Sequence, residues 1–164
     1  MIGKKMEEAI NRQINAEIYS AYLYMAMSAD MQVKNFSGSA SWLKVQAKEE
    51  LEHAMKFYGH LIERGGKPKL EAVAAPKDSW KSPLEVFEEA YAHELKVTAM
   101  INNLLEIARA EKDYPAESLL KWYVDEQVEE EAHTSEIVAQ FKLVGESKGS
   151  MFMIDHRLAK RGKE

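Results

Sequence analysis

At 164 residues, with 46% hydrophobic and 30% charged positions, the chain is long enough for one soluble domain with a real core. A formal net charge of −5 disfavours nucleic acid as a partner, and the lack of cysteine excludes disulfides, thiolate zinc sites, a cysteine nucleophile and a Cys-ligated iron centre. No apolar run approaches a bilayer span and Met1-Ile2-Gly3-Lys4-Lys5-Met6-Glu7-Glu8 has no apolar signal core, so a cytoplasmic protein with no membrane partner is expected.

The abundance of Ala, Glu, Lys, Leu and Met favours helix throughout. From about Lys4 to Val33, Ile10, Ile14, Ala21, Met25 and Met31 lie close to one helical stripe. In alternating steps of four and three, the seam reads Ile10, Ile14, Glu17, Ala21, Tyr24, Ser28, Met31, which puts Glu17 where a core residue belongs. Asn35-Phe36-Ser37-Gly38-Ser39 has the make-up of a turn, with Ser37 or Ser39 able to cap the next helix. That second helix is expected from about Ser39 to Arg64, with the seam Leu43, Gln46, Glu50, His53, Phe57, His60. Gly65-Gly66 and Pro68 form its stop signal.

Residues 67–81 lack a helical period and contain Pro68, Pro76 and Trp80. A helix of about 27 residues is roughly 40 Å long, and about fifteen extended residues reach roughly 50 Å. The segment can therefore run the length of a bundle and start the third helix at the far end. Ser82-Pro83-Leu84-Glu85 is a capping box with Pro at the first helical position. The helix it opens runs to about Glu111 with the seam Phe87, Ala90, Glu94, Val97, Ile101, Leu104, Ala108. After the Asp113-Tyr114-Pro115 turn, a fourth helix reaches about Val144 with the seam Ala116, Leu120, Tyr123, Gln127, Glu130, Thr134, Ile137, Phe141. Residues from about Ser150 to Arg161 form a short amphipathic fifth helix, and Lys160-Arg161-Gly162-Lys163-Glu164 is expected to fray. The fold class is all-α: a four-helix bundle over about 4–145 with one long crossover, plus a short C-terminal helix, in a single domain covering 1–164.

Each long helix breaks its apolar seam near mid-length, and the breaks are in register. Glu17 to Glu50 and Glu94 to Gln127 are both 33 residues apart, and the two halves are offset by 77 at 17/94, 50/127 and 53/130. The chain reads as two helical hairpins carrying Glu…Glu-x-x-His and Glu…Gln-x-x-Glu. Residues at i and i+3 share a helix face, so Glu50 with His53, and Gln127 with Glu130, can reach toward one point. Glu130-x-x-His133 is a literal competing motif, but it departs from the 77-residue offset; the register favours Gln127 and Glu130 and leaves His133 outside the ligand set. For a single Glu the ordinary explanation is a solvated face, and for a buried set it is a polar network fixing bundle register. Four carboxylates converging with one imidazole instead fit hard divalent cations, iron or manganese ahead of zinc or copper.

Asn15-Ala16-Glu17-Ile18-Tyr19-Ser20-Ala21-Tyr22-Leu23-Tyr24, the stretch from Glu49-Glu50-Leu51-Glu52-His53 to Tyr58, Glu63-Arg64-Gly65-Gly66, and Trp122-Tyr123-Val124-Asp125-Glu126-Gln127-Val128-Glu129-Glu130-Glu131 resemble the haem-free ferritins of bacteria and archaea. The resemblance spans essentially the whole chain. It implies a ferritin-like bundle with a ferroxidase centre: Glu17, Glu50 and His53 at one iron, Glu94 and Glu130 at the second, Glu50 bridging, and Gln127 hydrogen-bonding nearby. It implies a third iron site from Glu49, Glu126, Glu129 and Glu130, with Tyr24 and Trp122 matching aromatic residues beside the centre. Leu51 stands where the haem-binding branch carries its Met ligand, so no haem is expected.

By that resemblance the function is iron storage: Fe(II) is oxidised by O₂ or H₂O₂ and kept as a ferric oxide mineral inside a homo-oligomeric shell of twenty-four subunits, the last short helix near the fourfold axes. Glu117 would line a threefold entry channel, while an acidic first turn also simply complements the helix dipole. His60, His93 and His156 are expected at the surface or an interface rather than as ligands. The alternatives are a rubrerythrin-like di-iron peroxidase, whose sites are commonly richer in Glu-x-x-His pairs, and a non-enzymatic helical-bundle interaction module.

Overall fold

The computed structural model describes residues 1–162. It contains α1 (Lys4–Val33), α2 (Ser37–Glu63), α3 (Pro83–Glu111), α4 (Tyr114–Val144) and α5 (Lys148–Leu158), and no strand among the described residues. None of the helices is long and apolar enough to cross a membrane. Helices α1 and α2 form one hairpin and α3 and α4 the other; α1 packs on α3, and α5 lies against α2 and α4. This is the four-helix bundle with one long crossover that the seams describe.

The seams locate the core well. Every seam residue named for α3 and α4 is buried, including Glu94, Gln127 and Glu130. In α1 the stripe drifts, with Met25 47% exposed and Met27 buried instead, and the α2 seam ends on a half-buried His60. Met25 stands eight residues past Glu17, about 80° around the helix from the seam. The apolar core is not continuous. One cluster gathers Met27, Leu43, Phe87 and Phe141, the other Ile10, Ile14, Phe57 and Ile101, and the polar seam residues fall between them.

Helix ends differ in detail from expectation. Helix α2 begins at Ser37, two residues early, and neither Ser37 nor Ser39 caps it from within the turn. Its free amides are met from the far end of the chain: Asp155 of α5 accepts from Gly38 N at 2.8 Å, Ser39 N at 2.7 Å and Ser39 Oγ at 2.8 Å. The two elements are so close that a Cβ on Gly38 would lie 1.6 Å from the Asp155 carbonyl oxygen. At the other end of α2, Gly65 takes φ 76° and the amides of Gly65 and Gly66 close onto Ile62 O and Leu61 O, as the double glycine predicts.

Ser82 caps α3 by accepting from Glu85 N at 3.2 Å. The reciprocal limb of the capping box is displaced by one residue, because Glu85 Oε2 accepts from Lys81 N rather than Ser82 N. Asp113 caps α4 through Ala116 N and is ion-paired to Arg64 at 2.9 Å.

The crossover is held down along the bundle. Asn11 exchanges hydrogen bonds with Lys67 O and Lys69 N, and Asn15 does the same with Lys69 O and Glu71 N. Glu7 accepts from Lys67 N. Side chains four residues apart on α1 thus hold alternate residues of an extended chain, which has the period to match them. Trp80 closes the crossover, fully buried, with its indole N–H donated to Glu89 at 2.7 Å. Helix α5 ends at Leu158, short of the expected Arg161, yet Arg161 is not frayed: its guanidinium lies over the Trp42 ring and pairs with Glu49. Lys163 and Glu164 of the expected frayed tail lie outside the described residues.

Candidate metal centre

The polar layer dividing the core is built by one residue from α1 (Glu17), two from α2 (Glu50, His53), one from α3 (Glu94) and two from α4 (Gln127, Glu130). All six are buried. Ligand atoms of Glu17, Glu50 and His53 lie within 4.8 Å of one another, and so do those of His53, Glu126 and Glu130. The imidazole stands between these groups, with Nδ1 3.5 Å from Glu50 Oε2 and Nε2 3.8 Å from Glu126 Oε1. Glu94 belongs to neither triple. It is held instead by Tyr24 Oη and by Gln127 Nε2, the latter at 3.2 Å.

A supporting shell of amides and hydroxyls orients the carboxylates. Gln13 donates to Glu17 and Gln46 to Glu50, each at 2.8 Å and each from one helical turn upstream. Gln127 also donates toward the Glu94 carbonyl and Thr98 Oγ1. Tyr123 donates to the His53 carbonyl at 2.7 Å. Of these residues Gln46 was visible as a polar break in its seam. Gln13 and Thr98 were not, since they lie off the seam; the only signal for Gln13 is that Gln13/Glu17 repeats the Gln46/Glu50 spacing.

No lysine or arginine is buried among the described residues, so His53 is the one cationic side chain within the layer itself. Burial and the field of Glu50 push Glu17 well above the ordinary carboxylate range. The same causes raise Glu94 to about 8 and Glu130 to about 7. Burial opposes a charge on His53, but hydrogen bonding to Glu50 and the surrounding carboxylates overcome it and bring the imidazole to about 9. Burial and Glu94 raise the Tyr24 phenol well above its ordinary value. Glu17 Oε2 and Glu130 Oε2 are buried without a hydrogen-bond partner among the described residues. Open carboxylate oxygens beside a lone imidazole form a hard, oxygen-rich donor set that suits a divalent cation.

The other expected site residues fall in three places. Glu126 is half-buried and reaches His53, whereas Glu129 is exposed on α4 and joins no cluster. Glu49 is half-buried at the edge of the centre, and its carboxylate is engaged by Arg161. Trp122 is 37% exposed, edge-on to His53 with centroids 5.4 Å apart and capped by Lys56 Nζ 3.0 Å from its ring centre. His133 is exposed, in a cleft with Trp42 and Arg157 rather than at the centre. Glu117 pairs with Arg109 at 3.1 Å. His156 is exposed and His60 half-buried beside Arg64. His93 is less peripheral than expected: it is half-buried one residue before Glu94 and hydrogen-bonded to Ser20 at 2.7 Å.

Comparison with known proteins gives a consistent result. Residues 7–144 match the ferritin-like domain family, Ferritin. A bacterial non-heme ferritin from Bacteroides fragilis (strain 638R) is 41% identical over 161 residues, covering 98% of this chain and all of that one. One from Staphylococcus aureus (strain MRSA252) is 38% identical, covering 98% and 97%. Among solved structures, an open pore ferritin from the hyperthermophilic archaeon Archaeoglobus fulgidus superposes with a TM-score of 0.97 at 48% identity, over 98% of this chain and 99% of that one. A closed form engineered from the Archaeoglobus fulgidus ferritin gives 0.96 at 48% identity, over 98% of each chain.

Proposed function

The chain belongs to the ferritin-like domain family, and we propose that the polar layer at its bundle centre is the di-iron site where Fe(II) is oxidised on its way into storage. Full-length likeness to bacterial non-heme ferritins and to solved ferritins supports iron storage; the loading chemistry is our reading. The observation that carries it is four buried glutamates around one imidazole with no lysine or arginine buried among the described residues. Four ionised carboxylates balance the charge of two divalent ions, so binding a pair of Fe(II) ions as substrate offsets the electrostatic cost of burying these carboxylates together.

Glu17 and His53 would hold one ferrous ion, Glu94 and Glu130 the other, with Glu50 between them. Gln13, Gln46, Tyr24 and Gln127 keep the carboxylates aimed. Two Fe(II) release two electrons, enough to reduce O₂ with two protons to H₂O₂, or H₂O₂ with two protons to water. Oxygen donors favour the harder Fe(III) product, and Glu126, together with Glu49 and the exposed Glu129, would form an exit toward a mineral store. Hydrolysis of the departing Fe(III) returns protons to solvent. Storage as mineral requires an enclosing homo-oligomer, for which we adopt a shell of twenty-four copies. The rubrerythrin-like alternative draws no support from a layer holding a single histidine, and a plain interaction module does not explain four carboxylates buried together.

The test is catalytic. Fe(II) added in air to the intact assembly should develop ferric absorbance rapidly, and the Glu50→Ala/His53→Ala double variant should slow the initial rate at least about tenfold. Equal rates in parent and variant would show that oxidation occurs elsewhere.

A further inference from the structure

The centre has a positive group at its edge, and it comes from the end of the chain. Trp42, Val45 and Glu49 lie at i, i+3 and i+7 on one face of α2. Asp155, clasped to Gly38 and Ser39, and buried Ile154 and Leu158 fix α5 at the start of α2. The residues after α5 then run along that face toward the centre. The Arg161 guanidinium lies 4.0 Å over the Trp42 ring, Gly162 turns back with φ 73° beside Val45, and Arg161 Nη2 donates to Glu49 Oε2. The Arg161 side chain is only 20% exposed.

Glu49 is thereby occupied. The nearby triple of potential ligand atoms comprises His53, Glu126 and Glu130 without it. Glu49 nonetheless stands one helical turn before His53 on α2, so the pair lies beside that triple. A carboxylate donating to a metal ion and the same carboxylate accepting from a guanidinium compete for the same lone pairs, and two cations at one carboxylate repel.

We propose that Arg161 is a tethered counter-cation that competes with a third metal ion for Glu49. When the guanidinium pairs with Glu49, an ion beside Glu126 and Glu130 lacks that ligand and is held weakly. When the ion takes Glu49, Arg161 is displaced and keeps only its place over Trp42. The third position is thereby tuned for passage rather than retention. The inference rests on the metal-centre reading above and adds a positioning residue that is not itself a ligand.

The test is an anaerobic calorimetric titration of the intact assembly with Co(II), a redox-stable probe, in the parent, Arg161→Gln, Arg161→Lys, Glu49→Gln and Glu50→Ala/His53→Ala proteins. We expect Arg161→Gln to tighten the weakest resolved Co(II) step about fivefold, the scale of a part-exposed ion pair, and to leave the tight steps unchanged. Arg161→Lys keeps the charge but loses the flat, forked contact with Trp42 and Glu49, and should tighten that step less. Glu49→Gln should weaken the step and abolish the effect of Arg161→Gln in the double variant. An unchanged or weaker step in both Arg161 variants, with unaltered far-ultraviolet circular dichroism, overturns the proposal. Tight steps that survive in Glu50→Ala/His53→Ala would instead overturn the metal-centre reading on which it rests.

Discussion

Glu94 and His53 are both shifted toward their protonated forms in the polar layer, so their displaced equilibria act in the same direction on stability. Glu94 and Glu130, raised to about 8 and about 7, hold protons in the folded chain that the unfolded chain has already released. Stability therefore falls as pH rises from the ordinary carboxylate range through those values. His53 is raised to about 9, so its contribution is complete below the ordinary imidazole value and is lost as pH climbs through about 9. Metal-free protein should consequently melt at progressively lower temperature from about pH 5 to about pH 9, as measured by scanning calorimetry after chelation. Glu94→Gln, which cannot ionise, should flatten that decline and stabilise the metal-free form by about 1–2 kcal/mol at pH 8. Divalent binding should show the reverse dependence, because the ions displace protons. Co(II) affinity should rise from pH 6 to pH 8, with proton release detected as a buffer-dependent binding enthalpy.

At the scale of the element, α2 receives its N-terminal partner from α5 and α1 holds the crossover with paired asparagines. Asp155→Ala would leave three donors of α2 without their carboxylate and should cost about 2–4 kcal/mol, read by denaturant melts. Gly38→Ala places a methyl carbon inside the Asp155 backbone and should expose α5 to limited proteolysis even where the bundle survives. Asn11→Ala/Asn15→Ala should leave the bundle folded, at a cost of about 1–2 kcal/mol, while cleavage between residues 67 and 75 accelerates. These contacts explain what could and could not be read in advance. The seams were legible because helical period repeats within a short window, and the breaks at Glu17, Glu50, Glu94 and Gln127 all fall in one layer. The Asp155 clasp joins residues more than a hundred positions apart, and nothing in the sequence near Gly38 encodes it. Glu49 illustrates the same limit: its place in α2 was plain, whereas its pairing with Arg161 depends on how α5 docks.

For the whole molecule, two apolar clusters separated by a charged layer imply that much of the stability resides away from the site. Substitutions in the layer should therefore leave an assembled, helical protein in which loss of chemistry can be read cleanly. Phe152, Met153, Leu143 and Val128 are left exposed in the single chain, as expected of surfaces that meet other copies. Size-exclusion chromatography with light scattering should give a particle of about 450 kDa, twenty-four times the 18.7 kDa chain. A monomer or dimer at micromolar concentration would remove the basis for storage as mineral.

The Asp155 clasp also bears on how the chain is made. Synthesis proceeds from the N-terminus, so the α1–α2 hairpin is available well before residue 155 exists. Until then Gly38 and Ser39 present bare amides, and the start of α2 has only water to satisfy it. The earlier hairpin is thus finished by a residue made more than a hundred positions later, so closure of α2 reports that synthesis has passed residue 155.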